Sequence, residues 1–410
     1  MQFFKRLTNL DPTPRYWGLS RRELALIVLL FLITRMALMG GALIANRFIP
    51  GLYGPYWPRL TNRFTDVWYR WDAGFYTAIS LYGYDFAYNH HIAGDIGFMP
   101  LYPALMHLAL PLVGCFERGC DHNPILPFLT GRDAAIVAGV MVSNFALIGT
   151  ALLFYDLVKR RFDPSIAMRS TILLLIAPNS IFFSGVYTES LFMLWVMLVF
   201  QALDRDRFAW AVVFASAACL TREVGLALFL PLVVYAWKQP GPKRWLGLIG
   251  AGLAPLTFAL YIITAGILAA GDWLTYFTAN ALIWKVSLAS GPYGAILPYL
   301  PPYAGKEYIS WWGAGPTWLN LASALVYLLL VIPAFRQDVS FGLFSLLCVI
   351  IPITGGTLIS MPRFGGVIFS QYIAGAQWAN TKQKQWIIYA GFALAAAFFT
   401  ARFVTWRWMA

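Results

Sequence analysis

A chain of 410 residues that is 60% hydrophobic and only 12% charged, with mean hydropathy +0.64, is too apolar for a soluble domain, where about 25% of residues are charged. It reads as a polytopic membrane protein. The formal charge of +12 does not point to nucleic acid, because the basic residues fall in short runs between apolar stretches. That is the positive-inside pattern, not a groove for a phosphodiester backbone.

Taken in order, Lys5, Arg6, Arg15, Arg21 and Arg22 precede an apolar stretch over residues 23–46. They fix that flank as cytoplasmic, and the stretch reads as a retained first span, not a cleaved signal. Residues 47–132 form a long first outer loop. Within it, 97–114 is apolar enough to resemble a span. Counting it as one would put Lys159, Arg160 and Arg161, which close the strong span 133–158, on the wrong side. It is therefore expected as an interfacial helix.

Residues 168–184 then run outward and break at Pro178 and Asn179, and 186–203 return inward. Two pieces, 208–220 and 224–237, are each shorter than the roughly 20 residues a crossing needs. Thr221, Arg222 and Glu223 separate them, which puts Arg222 at a turn near the outer face. Residues 245–270 exit to a second outer loop over 271–315. Spans at 316–335, 341–360, 364–379 and 385–405 complete about eleven helices with the N-terminus inside. The whole chain, 1–410, is expected as a single all-α integral membrane domain without internal repeats.

Cys219 and Cys348 lie in apolar spans and read as small core residues. Cys115 and Cys120 flank a polar segment of the outer loop, where a bridge is possible if the compartment is oxidising. No Asn-x-Ser/Thr sequon occurs, a mild hint against a eukaryotic secretory lumen.

The candidate chemistry sits at outer ends. Asp66 and Asp72 lie among Trp68, Tyr69, Trp71 and Phe75, with Arg70 between them. Carboxylates in an aromatic, water-poor setting beside a cation suit acid–base work, and Asp72 is the first choice for a base. The bland reading of each is a helix cap or a partner for Arg70. His90 and His91, with Asp95, read as phosphate-binding or merely interfacial residues in preference to a metal site. Tyr187 and Glu189 stand at the outer end of a span, and Glu189 either contacts substrate hydroxyls or pairs with Arg222. Arg222 and Arg363, at outer helix ends, can hold a phosphate bidentately or snorkel to headgroups. Arg35, inside the first span, is unexplained. There is no Walker loop, dinucleotide fingerprint or Cys-x-x-Cys, so no cofactor or nucleotide is indicated.

These residues carry a resemblance. Arg70, Trp71, Asp72 and Ala73, then Gly83 and Tyr84, then Gly97–Pro103 resemble the Arg-Trp-Asp-Ala, Gly-Tyr and Phe-Phe-Pro-x-x-Pro landmarks of the PIG-V mannosyltransferase family. The block from Pro178 to Phe192, with Tyr187, Thr188 and Glu189, is similar to that family's Tyr-Ser/Thr-Glu block. Thr221–Gly225 resembles its Thr-Arg-Ser-Asn-Gly, and Arg363 with Phe364 its late Arg-Phe/Tyr. Met99 replaces the second Phe of Phe-Phe-Pro, and Glu223 and Val224 replace Ser-Asn.

The resemblance implies a GT-C glycosyltransferase fold and an inverting transfer of mannose from a polyprenyl-phosphate donor to a glycan or glycolipid acceptor. Asp72 would then be the base, Glu189 a sugar or acceptor contact, and Arg222 and Arg363 contacts to the donor phosphate. The expected setting is a bacterial inner membrane with an outward-facing site, or the endoplasmic reticulum for a eukaryotic owner. The alternatives are a lipid or solute transporter, which would place charges near the midplane, and a non-catalytic subunit of a glycan assembly complex.

Overall fold

The computed structural model describes residues 14–16, 18–52, 59–84, 94–113, 131–281, 289–300 and 318–407. Apart from a minimal ladder pairing Pro14–Tyr16 with Leu19–Ser20, the described residues build an all-α architecture. Five helices are long and apolar enough to cross a membrane: Arg21–Phe48, Gly131–Arg161, Pro242–Ala270, Trp318–Gln337 and Lys382–Val404. The chain is thus an integral membrane protein. The other expected spans form shorter apolar helices, among them Pro164–Leu175, Glu189–Asp204, Phe208–Cys219 and Val339–Thr354. The expected span over 168–184 divides. Its helix ends at Leu175, ahead of Pro178, and a short Ser180–Ser184 helix follows, as the fixed φ and missing N–H of proline favour.

The helix Gly131–Arg161 is the hub. Its Leu147, Ala151, Phe154 and Leu157 are fully buried, in one core with Phe192, Val196 and Phe200 of Glu189–Asp204. Both ends of this hub are defined by polar contacts. At the inner end, Ser20 and Glu23 form a capping box that starts the first helix. Glu23 also takes Lys159 at 2.8 Å and the Tyr155 hydroxyl at 2.6 Å. Arg160 reaches Asp156 and Asp204, while Arg161 reaches Asp204 and Asp338. Ends of four helices therefore meet here, three of them on one network through Arg160 and Arg161 and the first through the neighbouring Glu23–Lys159 pair. Isolated pairs of this kind contribute only about 0–1 kcal/mol each, but a shared network fixes which helix ends lie together.

The outer end is built differently. Ser143 of the hub helix donates to the Gly185 carbonyl at 2.8 Å and to the Tyr187 carbonyl at 3.0 Å, and lies 2.9 Å from the Tyr102 hydroxyl. Seventeen residues separate Ser143 from Arg160, which at 1.5 Å per residue is about 26 Å, close to a hydrocarbon thickness. The helix Leu101–Val113 packs beyond that level, with Leu110 and Val113 against Ala134, Ala135 and Ala138 of the hub's first turns. Tyr84 and Tyr261 both donate to the Phe98 carbonyl, at 2.6 and 2.8 Å, which ties the first outer loop to the helix Leu253–Ala270. Burial holds the Tyr84 hydroxyl well above the ordinary phenol range, so it stays protonated and keeps donating. Cys219 and Cys348 are buried free thiols; Cys115 and Cys120 lie outside the described residues.

Candidate active site

Asp72 opens the helix Asp72–Tyr82, where the helix dipole favours a carboxylate. The preceding residue, Trp71, has φ +47° and ψ −111°, a conformation that costs a bulky L-residue on the order of 1–3 kcal/mol. Packing holds it there: the indole meets Phe403 and Trp406 edge-on at 5.4 and 5.5 Å. This turn aims the Asp72 carboxylate at Arg363, whose Nη1 donates to Oδ2 at 2.5 Å. Arg363 rides on the single turn Met361–Phe364, itself entered through Ser360 at φ +69°.

Glu189 joins the two arginines. Its Oε1 accepts from Arg222 Nη1 at 2.7 Å and from Arg363 Nε. Arg222 also donates to the Thr188 hydroxyl at 2.8 Å. The Arg363 guanidinium lies 4.5 Å from the Tyr187 ring centroid and 5.3 Å from that of Phe182, and Arg222 lies 5.4 Å from that of Phe364. Two cations and two carboxylates thus form one chain, Asp72–Arg363–Glu189–Arg222, walled by aromatics. Glu189 is fully buried, while the Asp72 side chain keeps 15% of its surface exposed. Glu189 Oε2 is buried and has no hydrogen-bond partner among the described residues. An acceptor left unmade in such a place is costly unless something else fills it.

The backbone around Arg363 is clasped from behind. Asn179 Nδ2 donates to the Pro362 and Arg363 carbonyls at 3.4 and 3.3 Å. A Cβ on Gly366 would overlap that amide. Gly366→Ala is therefore expected to destabilise the protein by about 1–3 kcal/mol and to lower activity through a displaced Arg363. Thermal unfolding and transfer assays on the variant would check both, and an unchanged variant would remove the clasp from the argument.

The structure does not bring every predicted residue to this cluster. Asp66 and Arg70 are both fully buried and pair with each other at 3.0 Å. Asp66 also takes Asn46 Nδ2 at 3.0 Å and the Leu60 N–H at 2.8 Å. Arg70 donates to the Val404 carbonyl at 2.8 Å and stacks on Trp406, and its own carbonyl receives the Tyr187 hydroxyl at 2.7 Å. Asp66, read above with Asp72 as a candidate for acid–base work, and Arg70, the cation between them, are placed as a brace between the outer loop and the last helix. The Tyr187 hydroxyl is spent on that brace, leaving only its ring to the cluster. Asp66→Ala should cost about 3–5 kcal/mol, since it strands a buried charge, and should show first in the melting temperature. Intact stability with lost turnover would instead return Asp66 to the reaction. His90 and His91 lie outside the described residues.

Tyr76 was not singled out from the sequence. It stands one turn after Asp72, its ring edge-on to Phe98 and Tyr102 at 4.9 and 5.1 Å. Burial, reinforced by Asp72, raises its hydroxyl above the ordinary phenol range, so it is a protonated donor beside the cluster. Its i, i+4 spacing from Asp72 was the available signal.

A family profile described as Mannosyltransferase (PIG-V) matches residues 16–233, more than half of the chain and the part that carries Asp72, Glu189 and Arg222. The chain belongs to the PIG-V mannosyltransferase family. Arg363 lies beyond the matched stretch, so it is the fold that brings it to the other three. Two relatives called GPI mannosyltransferase 2, from two serotype D strains of Cryptococcus neoformans var. neoformans, are each 26% identical over 169 residues. The alignment takes in 41% of this PIG-V family chain and 36% of the relatives, so it spans little more than a third of their length. Among solved structures, the chain resembles the Archaeoglobus fulgidus oligosaccharyltransferase crystallised with a tethered acceptor peptide. The match has TM-score 0.37 and 11% identity, and covers 90% of this chain and 54% of that one. So loose a superposition equates no individual residues.

Proposed function

We propose that this chain is a membrane mannosyltransferase of GT-C type. It would take mannose from a polyprenyl-phosphate donor and pass it, with inversion, to a lipid-linked or extracytoplasmic glycan acceptor. The observation that carries this reading is Arg363 shared between Asp72 and Glu189 at the outer end of the helix bundle, beside a second arginine. A polyprenyl-phosphate leaving group departs as a stable anion, so the protein must supply cationic stabilisation and one base.

In this reading the donor phosphate takes the guanidinium groups of Arg222 and Arg363. That contact draws Arg363 away from Asp72 and frees a carboxylate oxygen for the acceptor hydroxyl. The acceptor O–H proton passes to Asp72 and the acceptor oxygen bonds to the anomeric carbon. The C–O bond to phosphate breaks, and its electron pair leaves with the polyprenyl phosphate. Glu189 keeps both arginines aligned through Oε1, and its unpartnered Oε2 is free to accept from a sugar hydroxyl. No protein cofactor enters these steps. The partners are the lipid donor, the glycan acceptor and the bilayer, and the proposed setting is a bacterial inner membrane with the site facing outward.

The chemically active charges gather at one face, which favours an enzyme over a transporter, whose charges belong near the midplane. The test is transfer by purified protein in lipid, with a host lipid extract as acceptor and labelled mannose presented either on polyprenyl phosphate or on a nucleoside diphosphate. Transfer from the lipid-linked donor alone is expected. Transfer from the nucleotide sugar would refute the donor assignment, and none from any polyprenyl-phosphate sugar would favour a transporter or a subunit.

A further inference from the structure

Arg35, unexplained in the sequence, lines a cavity of about 400 Å³ between the helices Arg21–Phe48 and Gly131–Arg161. Phe31, Arg35 and Met39 form one wall, each a helical turn apart. Val140, Asn144 and Ile148 form the other, and Trp68 of the outer loop also lines it. Phe145, at the cavity, is 69% exposed, and Met36, next to Arg35, is 74% exposed. Apolar residues so exposed on spanning helices face lipid, so the cavity is entered from the bilayer.

The charge in this cavity is uncompensated. Arg35 Nη1 donates to the Ser184 hydroxyl at 2.9 Å and to the Ser180 carbonyl at 3.4 Å, and Nη2 donates to the Leu175 carbonyl. The bond to Leu175 caps the end of the helix Pro164–Leu175, where a cation is favoured, and the other two hold the Ser180–Ser184 turn, but none supplies a negative charge. Arg70, Arg222 and Arg363 each meet a carboxylate; among the described residues Arg35 meets none. Its Nε is buried and has no hydrogen-bond partner among the described residues. A buried guanidinium with hydrogen bonds but no counter-charge is expensive at a membrane and tends to be matched by an anion.

We propose that this cavity binds an anionic glycerophospholipid from the surrounding bilayer, with its phosphate on Arg35 and the start of its chains along Phe31, Met39 and Ile148. A volume of this size suits a headgroup and the first part of its chains. The site is separate from the transfer site. Arg35 engages Ser184, whereas Arg363 stacks on Phe182 and Tyr187 and is held by Asp72 and Glu189. The single phosphate of a polyprenyl donor engaged by Arg222 and Arg363 is already committed there. Binding here would brace the Ser180–Ser184 turn that leads into Glu189.

The experiment is native mass spectrometry of the full chain, delipidated in detergent and titrated in parallel with phosphatidylglycerol, phosphatidylcholine and undecaprenyl phosphate. Wild type should bind one phosphatidylglycerol about tenfold more tightly than phosphatidylcholine, as expected for a charge-assisted contact. Arg35→Gln should abolish that preference and Arg35→Lys should retain most of it. Ile148→Trp, which fills the cavity and leaves the charge in place, should weaken phosphatidylglycerol binding about tenfold, and this arm stands even if Arg35→Gln does not fold. Equal binding of the two phospholipids, or a preference that survives both Arg35→Gln and Ile148→Trp, would overturn the proposal. So would Arg35-dependent binding of undecaprenyl phosphate in place of phosphatidylglycerol.

Discussion

Asp72→Asn is expected to reduce sugar transfer by about two to four orders of magnitude, the usual contribution of a positioned general base, with little loss of donor binding. The substitution keeps the size and one acceptor oxygen, so Arg363 retains a hydrogen bond where it now has an ion pair at 2.5 Å. Glu189 continues to hold that arginine from its other side. The melting temperature should therefore move less than for loss of a fully buried partner, because Asn keeps a hydrogen bond to Arg363 and Glu189 remains as its counter-charge. Steady-state transfer and donor binding, measured on the same preparation, separate the two effects. Transfer within a fewfold of wild type would take the base away from Asp72.

Glu189→Gln should act on both stability and rate. Glu189 is fully buried and its Oε1 accepts from Arg222 and Arg363, so losing its charge leaves two buried guanidinium groups with too little negative charge. Removing one partner of such an arrangement costs about 3–5 kcal/mol. Turnover should fall by at least about 10²-fold as the arginines lose the geometry that stabilises the leaving phosphate. The expected signature is a lowered melting temperature together with lost transfer, in contrast to Asp72→Asn. A Gln variant with unchanged stability would show that Oε1 does not clamp the pair.

Much of this was legible in the sequence because membranes impose simple rules. Composition gave the class, and the structure gathers Lys159, Arg160 and Arg161 at one end of the bundle, Lys159 on Glu23 and the two arginines on Asp204 and Asp338. Asp72, Glu189, Arg222 and Arg363 could each be picked out as ionisable groups at outer helix ends, where charge is rarely idle. Their mutual distances could not. Arg363 lies 291 residues from Asp72, and only tertiary packing makes them neighbours. Asp66 and Asp72 looked alike in sequence. What separates them is burial: the i, i+4 spacing of Asp66 and Arg70 closes a fully buried pair, while the strained turn at Trp71 swings Asp72 the other way. No pattern in one chain signals a tryptophan at positive φ. The break at Pro178 was visible, but not that Arg35 caps the helix end before it.

The most direct test of the transfer mechanism is the anomeric configuration of the product formed by wild-type protein from a polyprenyl-phosphate mannose of known configuration, read by nuclear magnetic resonance before any further processing. One base facing a leaving phosphate held by Arg222 and Arg363 predicts a single displacement, so the product carries the configuration opposite to the donor. Retained configuration would contradict this, because it requires two displacements through a glycosyl-enzyme intermediate and would make one of the carboxylates a nucleophile.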